Sequence, residues 1–142
     1  MICVDASVAV KWLLDEDYTP HADALLSAAI DRPEPMIAPA LLASEVTNTL
    51  RQRQRRGLLT FVQTRVLLAD FLGLPVSLYA PIEIYDQALV LADRYGLPAT
   101  YDACYMALAE AMGAVFWTAD ERLVRLLAGQ LDYVHWIGDY PV

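Results

Sequence analysis

The chain is poor in the residue types that carry much protein chemistry. It has two cysteines, Cys3 and Cys104, with no metal-ligand spacing and no disulfide-framework signal, so both read as small buried thiols. Its two histidines, His21 and His135, fall in a helix and in a strand with no reason to meet, which argues against a histidine acid–base mechanism. No apolar run approaches the roughly 18 residues of a membrane span, and Asp5 interrupts any signal-peptide core before it could form. A soluble, cytoplasmic protein with no membrane partner is expected. Positive charge is scarce as well: 10 Lys and Arg face 18 Asp and Glu, a formal net charge of -8. An acidic chain repels a nucleic acid backbone. Either the partner is not a polyanion, or part of the negative charge is gathered where a cation cancels it.

Apolar residues, by contrast, are abundant. They make up 57% of the 142 residues, above the ~45–50% usual for soluble domains, which suggests apolar surface reserved for a partner or a second copy. The length fits one domain over residues 1–142. Met1–Val4 reads as a short buried strand leading into a helix from Ser7 to Leu14. Asp15-Glu16-Asp17 reads as a solvated loop. Thr19-Pro20 caps and opens a helix to about Ile30, and Met36–Ala38 is short enough for a second strand stopped by Pro39. A well-marked helix runs from Ala40 to Arg56, with Gly57 after it. Thr60 and Gln63 form a capping-box pattern for the next helix, whose wide stripe of Phe61, Val62, Val66, Leu67, Leu68, Phe71 and Leu72 is a candidate for the surplus apolar surface. Pro75–Leu78 is a weak strand, Pro81–Tyr95 a helix, and Tyr101–Met112 a helix capped by Thr100. Ala114–Trp117, Asp120–Leu127 and Tyr133–Trp136 follow as strand, helix and strand. The alternation predicts an α/β fold, a parallel sheet with helices on both faces.

Parallel topology brings the acidic residues together. Strands Met1–Val4 and Ala114–Trp117 deliver Asp5 and Asp120 to the carboxyl edge of the sheet, where ligands bind in such folds. The helix after the second strand starts at that edge and carries Glu45 within two turns of it. Asp102 lies in the first turn of a helix running back from the same edge. Four like charges converging from four elements are destabilising unless a cation offsets them. All-oxygen ligands suit Mg2+ or Mn2+, and a carboxylate-held, water-rich magnesium ion binds phosphate oxygens and can lower the pKa of an attacking water. The implied chemistry is phosphoester hydrolysis. Each residue also has a plainer reading: Asp5 could cap the first helix, and Asp102 could answer the helix dipole. Glu45, among Leu41, Leu42, Val46 and Leu50, calls for a partner or a metal if buried. Thr118-Ala119-Asp120-Glu121 is itself a capping box with Thr118 as cap, which would leave Asp120 free for the metal.

Four segments carry a resemblance. Ile2–Ser7, Ser44–Leu50, Tyr101–Ala109 and Trp117–Leu123 resemble, in order and spacing, the successive motifs of PIN-domain proteins, and most of all the VapC-type toxins of bacterial toxin–antitoxin pairs. The resemblance implies a three-layer α/β/α sandwich with a central parallel sheet, and a magnesium-dependent ribonuclease whose acidic ligands are Asp5, Glu45, Asp102 and Asp120. It further implies 5′-phosphate and 3′-hydroxyl product ends and a homodimer held inactive by a cognate antitoxin. Ser7, Asn48 and Thr118 match positions where the family often has polar residues near the metal, against plain capping and surface roles for each.

Other folds with aspartates at strand ends fit less well. Haloacid-dehalogenase-like phosphatases place a second aspartate where this chain has Ser7, and they and response-regulator receivers use a lysine beside the pocket, whereas the single lysine here, Lys11, lies in the first helix. A PIN-like RNA-processing nuclease without a toxin role remains open, as does a metal-binding regulatory module working through a protein partner. Arg51, Arg53, Arg55 and Arg56 lie about 9–17 Å along their helix from Glu45 by helical rise. They could hold substrate phosphates, or equally complement the helix C-terminus or an antitoxin's acidic tail.

Overall fold

The computed structural model describes residues 1–142. Five short strands, β1 (Ile2–Val4), β2 (Met36–Pro39), β3 (Val76–Tyr79), β4 (Val115–Thr118) and β5 (Val134–Trp136), form one sheet in the order β3-β2-β1-β4-β5. Every pairing is parallel. Parallel strands need crossovers, and the helices that provide them cover both faces, giving the three-layer α/β/α sandwich.

The central strand shows how the layers are divided. Ile2 and Val4 point into a core of eight buried residues with Val8, Leu25 and Ile137. Cys3, between them, joins a core of 24 with Ile37, Leu42, Met106 and Phe116. Alternation along three residues therefore feeds both sides of the sheet. Both cysteines are buried, as the composition led one to expect.

The helices are α1 (Ala6–Ala9), α2 (Thr19–Asp31), α3 (Leu41–Arg55), α4 (Phe61–Leu72), α5 (Ile84–Tyr95), α6 (Tyr101–Met112) and α7 (Glu121–Leu127). The capping box before α4 forms as expected, with Gln63 N donating to Thr60 Oγ1 and Thr60 N to Gln63 Oε1. Three other boundaries differ from expectation. The first helix has one α turn and then tightens to a 3-10 turn over Val10–Trp12. Thr19 does not cap α2, because its hydroxyl accepts from Glu16 N and Tyr18 takes the left-handed cap position at φ 66. Thr100 does not cap α6 with its side chain, since its own backbone is already helical.

Surplus apolar surface lies on part of the stripe where it was sought and beyond it, while Phe71 of that stripe is buried in the core. Phe61, Val62, Val66 and Leu72 on α4 are exposed, and so are Ile82, Tyr85 and Leu89 on and before α5. No helix is long and apolar enough to cross a membrane.

Candidate active site

From β1 the chain moves one way across the sheet to β2 and β3, and later returns to the other side of β1 as β4 and β5. The reversal makes a switch point between β1 and β4, the place where α/β sheets open a crevice at their carboxyl edge. Asp5 follows β1 and Thr118 ends β4, and here the two side chains meet.

Asp5 is only 4% exposed. Its Oδ1 accepts from Ser7 Oγ at 2.5 Å and from Val8 N at 3.1 Å, and its Oδ2 accepts from Thr118 Oγ1 at 2.5 Å. The two hydroxyls are polarised in turn: Ala119 N donates to Ser7 Oγ at 2.7 Å, and Asp120 N to Thr118 Oγ1 at 3.0 Å. A hydroxyl has one proton to give and lone pairs to receive, so both chains of hydrogen bonds run from the β4–α7 loop toward the carboxylate. Asp5 thus caps α1 and faces the site at once; the two readings were not exclusive. Burial pushes its carboxyl up to about 6 against the opposing hydrogen bonds of Ser7, Thr118 and Val8, and the charge of Asp102 adds to the rise.

Asp120 corrects a reading of the sequence. It is the cap of α7, its Oδ1 accepting from Arg122 N at 2.9 Å and Leu123 N at 3.3 Å, while Thr118 serves Asp5 instead. Two capping candidates stood two residues apart, and the helix starts after the second. One Asp120 oxygen is therefore engaged.

The other two carboxylates are carried by helices. Glu45 on α3 is half-buried, and its Oε2 accepts from the Tyr105 hydroxyl at 2.8 Å. Burial raises its pKa, the Tyr105 bond lowers it, and the charge of Asp102 raises it. Asp102, in the first turn of α6, is also raised, by burial first and by Asp120 next, with Arg122 pulling the other way. Asp102 is the common member: its charge bears on Asp5 and Glu45, and that of Asp120 bears on it. No three Asp, Glu, His or Cys side chains close into a ready-made cage for one ion. The donor set is all carboxylate oxygen, which fits a hard cation such as Mg2+ that takes one or two carboxylates and keeps its waters.

The remaining candidates separate. Ser7 and Thr118 touch Asp5 directly. Asn48, exposed on α3, accepts from Gln52 Nε2 at 3.5 Å and lines a shallow groove with Ser44, Thr47 and Arg51. Arg53 is engaged by Glu16, which also binds Lys11 at 3.2 Å. Glu16 is therefore a structural anchor between the loop after α1 and α3, and the acidic triplet is not simply solvated. Arg51, Arg55 and Arg56 are exposed. His21 Nδ1 contacts the Tyr140 carbonyl at 2.7 Å, and His135 packs on Trp117, so neither joins the acidic group.

Two residues near the carboxylates escaped the sequence reading. Tyr105 lies three residues after Asp102, on the same helix face, a spacing that could have pointed to it. Arg122, its side chain 92% exposed, has Nε 3.7 Å from Asp120 Oδ1. A cavity between Ala29, Pro33, Met36 and Pro75 at the amino edge of the sheet contains none of the four carboxylates.

The chain is thus an α/β sandwich with a parallel sheet, in which Asp5 and Asp120 cap the helices that leave the carboxyl ends of the adjacent strands β1 and β4. The sequence model of the PIN domain matches residues 2–127, and the chain belongs to the PIN-domain family, closely related to its VapC-type ribonucleases. It is 34% identical over 128 residues to ribonuclease VapC12 of Mycobacterium tuberculosis, covering 88% of this chain and 91% of that one. It is 33% identical over 126 residues to ribonuclease VapC3 of Pyrobaculum aerophilum, covering 86% and 91%. Two solved structures share the fold. One is PAE2754 from Pyrobaculum aerophilum, with TM-score 0.71, 24% identity and coverage of 96% of this chain and 89% of that one. The other is VapC20 of Mycobacterium tuberculosis, described as a Sarcin-Ricin loop cleaving toxin, with TM-score 0.66, 16% identity and coverage of 88% and 94%.

Proposed function

We propose that the chain is a single-domain, Mg2+- or Mn2+-dependent endoribonuclease of the cytoplasm, the toxin of a toxin–antitoxin pair. The observation that carries this reading is the match of residues 2–127 to the PIN domain; in support, burial first and neighbouring carboxylate charge after it raise the pKa values of Asp5, Glu45 and Asp102. Four carboxylates so coupled cost stability, which a divalent cation offsets. Asp5, Glu45, Asp102 and Asp120 would hold the ion, which when bound supplies positive charge to a phosphodiester and makes water more acidic.

The protein's own contributions follow from the hydrogen bonds. Asp102 accepts none from the protein and presents both oxygens. Glu45 presents Oε1 and Asp120 Oδ2, their other oxygens being engaged. Ser7 and Thr118 hold the Asp5 carboxylate in place. Water is the nucleophile in an in-line displacement leaving 5′-phosphate and 3′-hydroxyl ends, so a single 2′-deoxy substitution at the cleavage site is tolerated. With a net charge of -8, indiscriminate backbone binding is disfavoured, and a folded or looped RNA is the expected substrate, the class named for the solved VapC20 toxin. Arg51, Arg55 and Arg56 are the remaining phosphate-binding candidates on α3, and the exposed apolar faces of α4 and α5 offer surface for a homodimer and an antitoxin.

The test is cleavage of structured RNA by purified protein with Mg2+, with chelator, and with Asp102→Asn. Equal cleavage in all three would sink the four-carboxylate reading. Growth arrest on expression, relieved by a small reading frame adjacent to this one, tests the toxin role.

A further inference from the structure

Tyr105 is almost fully buried, 1% exposed, yet it carries a hydroxyl that must find a partner. Its placement is fixed at three points. The ring lies parallel to Phe116 with centroids 5.9 Å apart. Its backbone carbonyl accepts from Cys3 Sγ at 3.8 Å, tying this turn of α6 to the central strand. The hydroxyl donates to Glu45 Oε2 at 2.8 Å, reaching across to α3. Long helical side chains lean toward the helix N-terminus, so a tyrosine one turn after Asp102 leans back toward the level of Asp102 itself. A phenylalanine would fill the same space and leave Glu45 Oε2 without this donor.

We infer that Tyr105 is a positioning residue that fixes the Glu45 carboxylate relative to Asp102 and leaves Oε1 as the oxygen available to a divalent cation. The inference rests on the metal-dependent reading above. Glu45 is the one carboxylate of the four delivered by α3, and its side chain has rotamer freedom that neither a cap nor a strand end restrains. A donor on α6 removes that freedom and makes the separation of the two helix-borne ligands a property of one rigid ring. Partners of this kind, set behind a ligand, typically govern metal affinity by 10–100-fold.

Calorimetric titration with Mn2+ alone tests this on the wild-type chain, Tyr105→Phe, Glu45→Gln and the double variant. Tyr105→Phe is expected to weaken Mn2+ binding about 10–100-fold while keeping a cooperative thermal transition in chelator, and its RNA cleavage should recover at raised Mn2+. In the Glu45→Gln background the same change should alter Mn2+ affinity by less than about twofold, since the group it acts through is gone. Wild-type affinity in Tyr105→Phe overturns the inference, as does an equal loss in both backgrounds. If Glu45→Gln leaves Mn2+ affinity untouched, the metal reading of Glu45 falls and the role of Tyr105 falls with it. Should Tyr105→Phe lose its cooperative transition, 13Cζ-labelled tyrosine in the unsubstituted chain takes its place. The Tyr105 resonance should then move on Mg2+ addition and stay fixed in Glu45→Gln; indifference to Mg2+ in the wild-type chain overturns the inference.

Discussion

The strand-end and the helix-borne carboxylates are held differently. On the strand side, Asp5 has both oxygens bound and Asp120 has one, by two hydroxyls and three backbone N–H groups. Both residues also start helices, so their orientation belongs to the fold. On the helix side, Glu45 has one donor, Tyr105, and Asp102 has none. The strand side is therefore held by structure that exists without a ligand, while the helix side keeps oxygens open to whatever positive charge arrives. Substitutions on the two sides should therefore fail in different ways: on the helix side in metal binding and catalysis alone, on the strand side in stability as well.

Asp102→Asn should separate the two sides most widely. Losing a ligand that stabilises transition-state charge by several kcal/mol corresponds to a fall in cleavage rate on the order of a thousandfold, with the unfolding midpoint unchanged or raised because no hydrogen bond is lost. Paired rate and melting measurements check it. A large drop in stability would show that Asp102 is structural after all.

Asp5 offers the next largest effect, and one in pH. Its folded carboxyl is raised from 3.8 to about 6, so folding favours the protonated form. The stability this contributes is complete below about pH 4 and is lost as pH rises through 6, about 3 kcal/mol in all. Urea unfolding in chelator should therefore show stability falling across that window. Asp5→Asn, which keeps an acceptor for the cap, should flatten most of the fall, the remainder coming from Glu45 and Asp102, raised in the same direction. Asp5→Ala is a poorer probe, because it also strips the α1 cap and orphans the Ser7 and Thr118 hydroxyls.

Thr118→Val keeps the shape of a fully buried side chain and removes the donor to Asp5 Oδ2. A cost of about 1–3 kcal/mol is expected, with the Asp5 midpoint moving above its present value near 6, read by carboxyl NMR titration. The smallest effects belong to the arginines. Arg53→Gln should cost at most about 1 kcal/mol and leave RNA affinity alone, since Glu16 already engages it. Arg55→Glu should leave stability alone and flatten the salt dependence of RNA binding. If Arg53→Gln flattens it and Arg55→Glu does not, the division of roles along α3 is reversed.

Much of this was written locally. Strand–helix alternation, the Thr60–Gln63 box and glycines at helix ends such as Gly96 and Gly113, left-handed at φ 64 and φ 61, follow from short-range rules. So does the delivery of Asp5 and Asp120 to one edge, because parallel strands all end on the same side. Misreadings arose where two local solutions competed. Thr118 and Asp120 could each cap α7, and Thr19 could cap α2 or bond Glu16 N. A distant partner, Asp5, settled the first, as one settled the capture of Arg53 by Glu16, whereas the second was settled inside the loop, three residues away.

By itself, then, the sequence determined the fold class and which carboxylates share an edge, since periodicity and topology are properties of spacing along the chain. Only the tertiary structure decided which oxygens stay open. That depends on hydroxyls from residues far apart in the chain: Thr118 reaching Asp5 across β1 and β4, and Tyr105 reaching Glu45 from α6 to α3. Hydrogen bonds of 2.5–2.8 Å exist only once packing has placed donor and acceptor to a precision of a fraction of an ångström, a condition no local spacing rule contains.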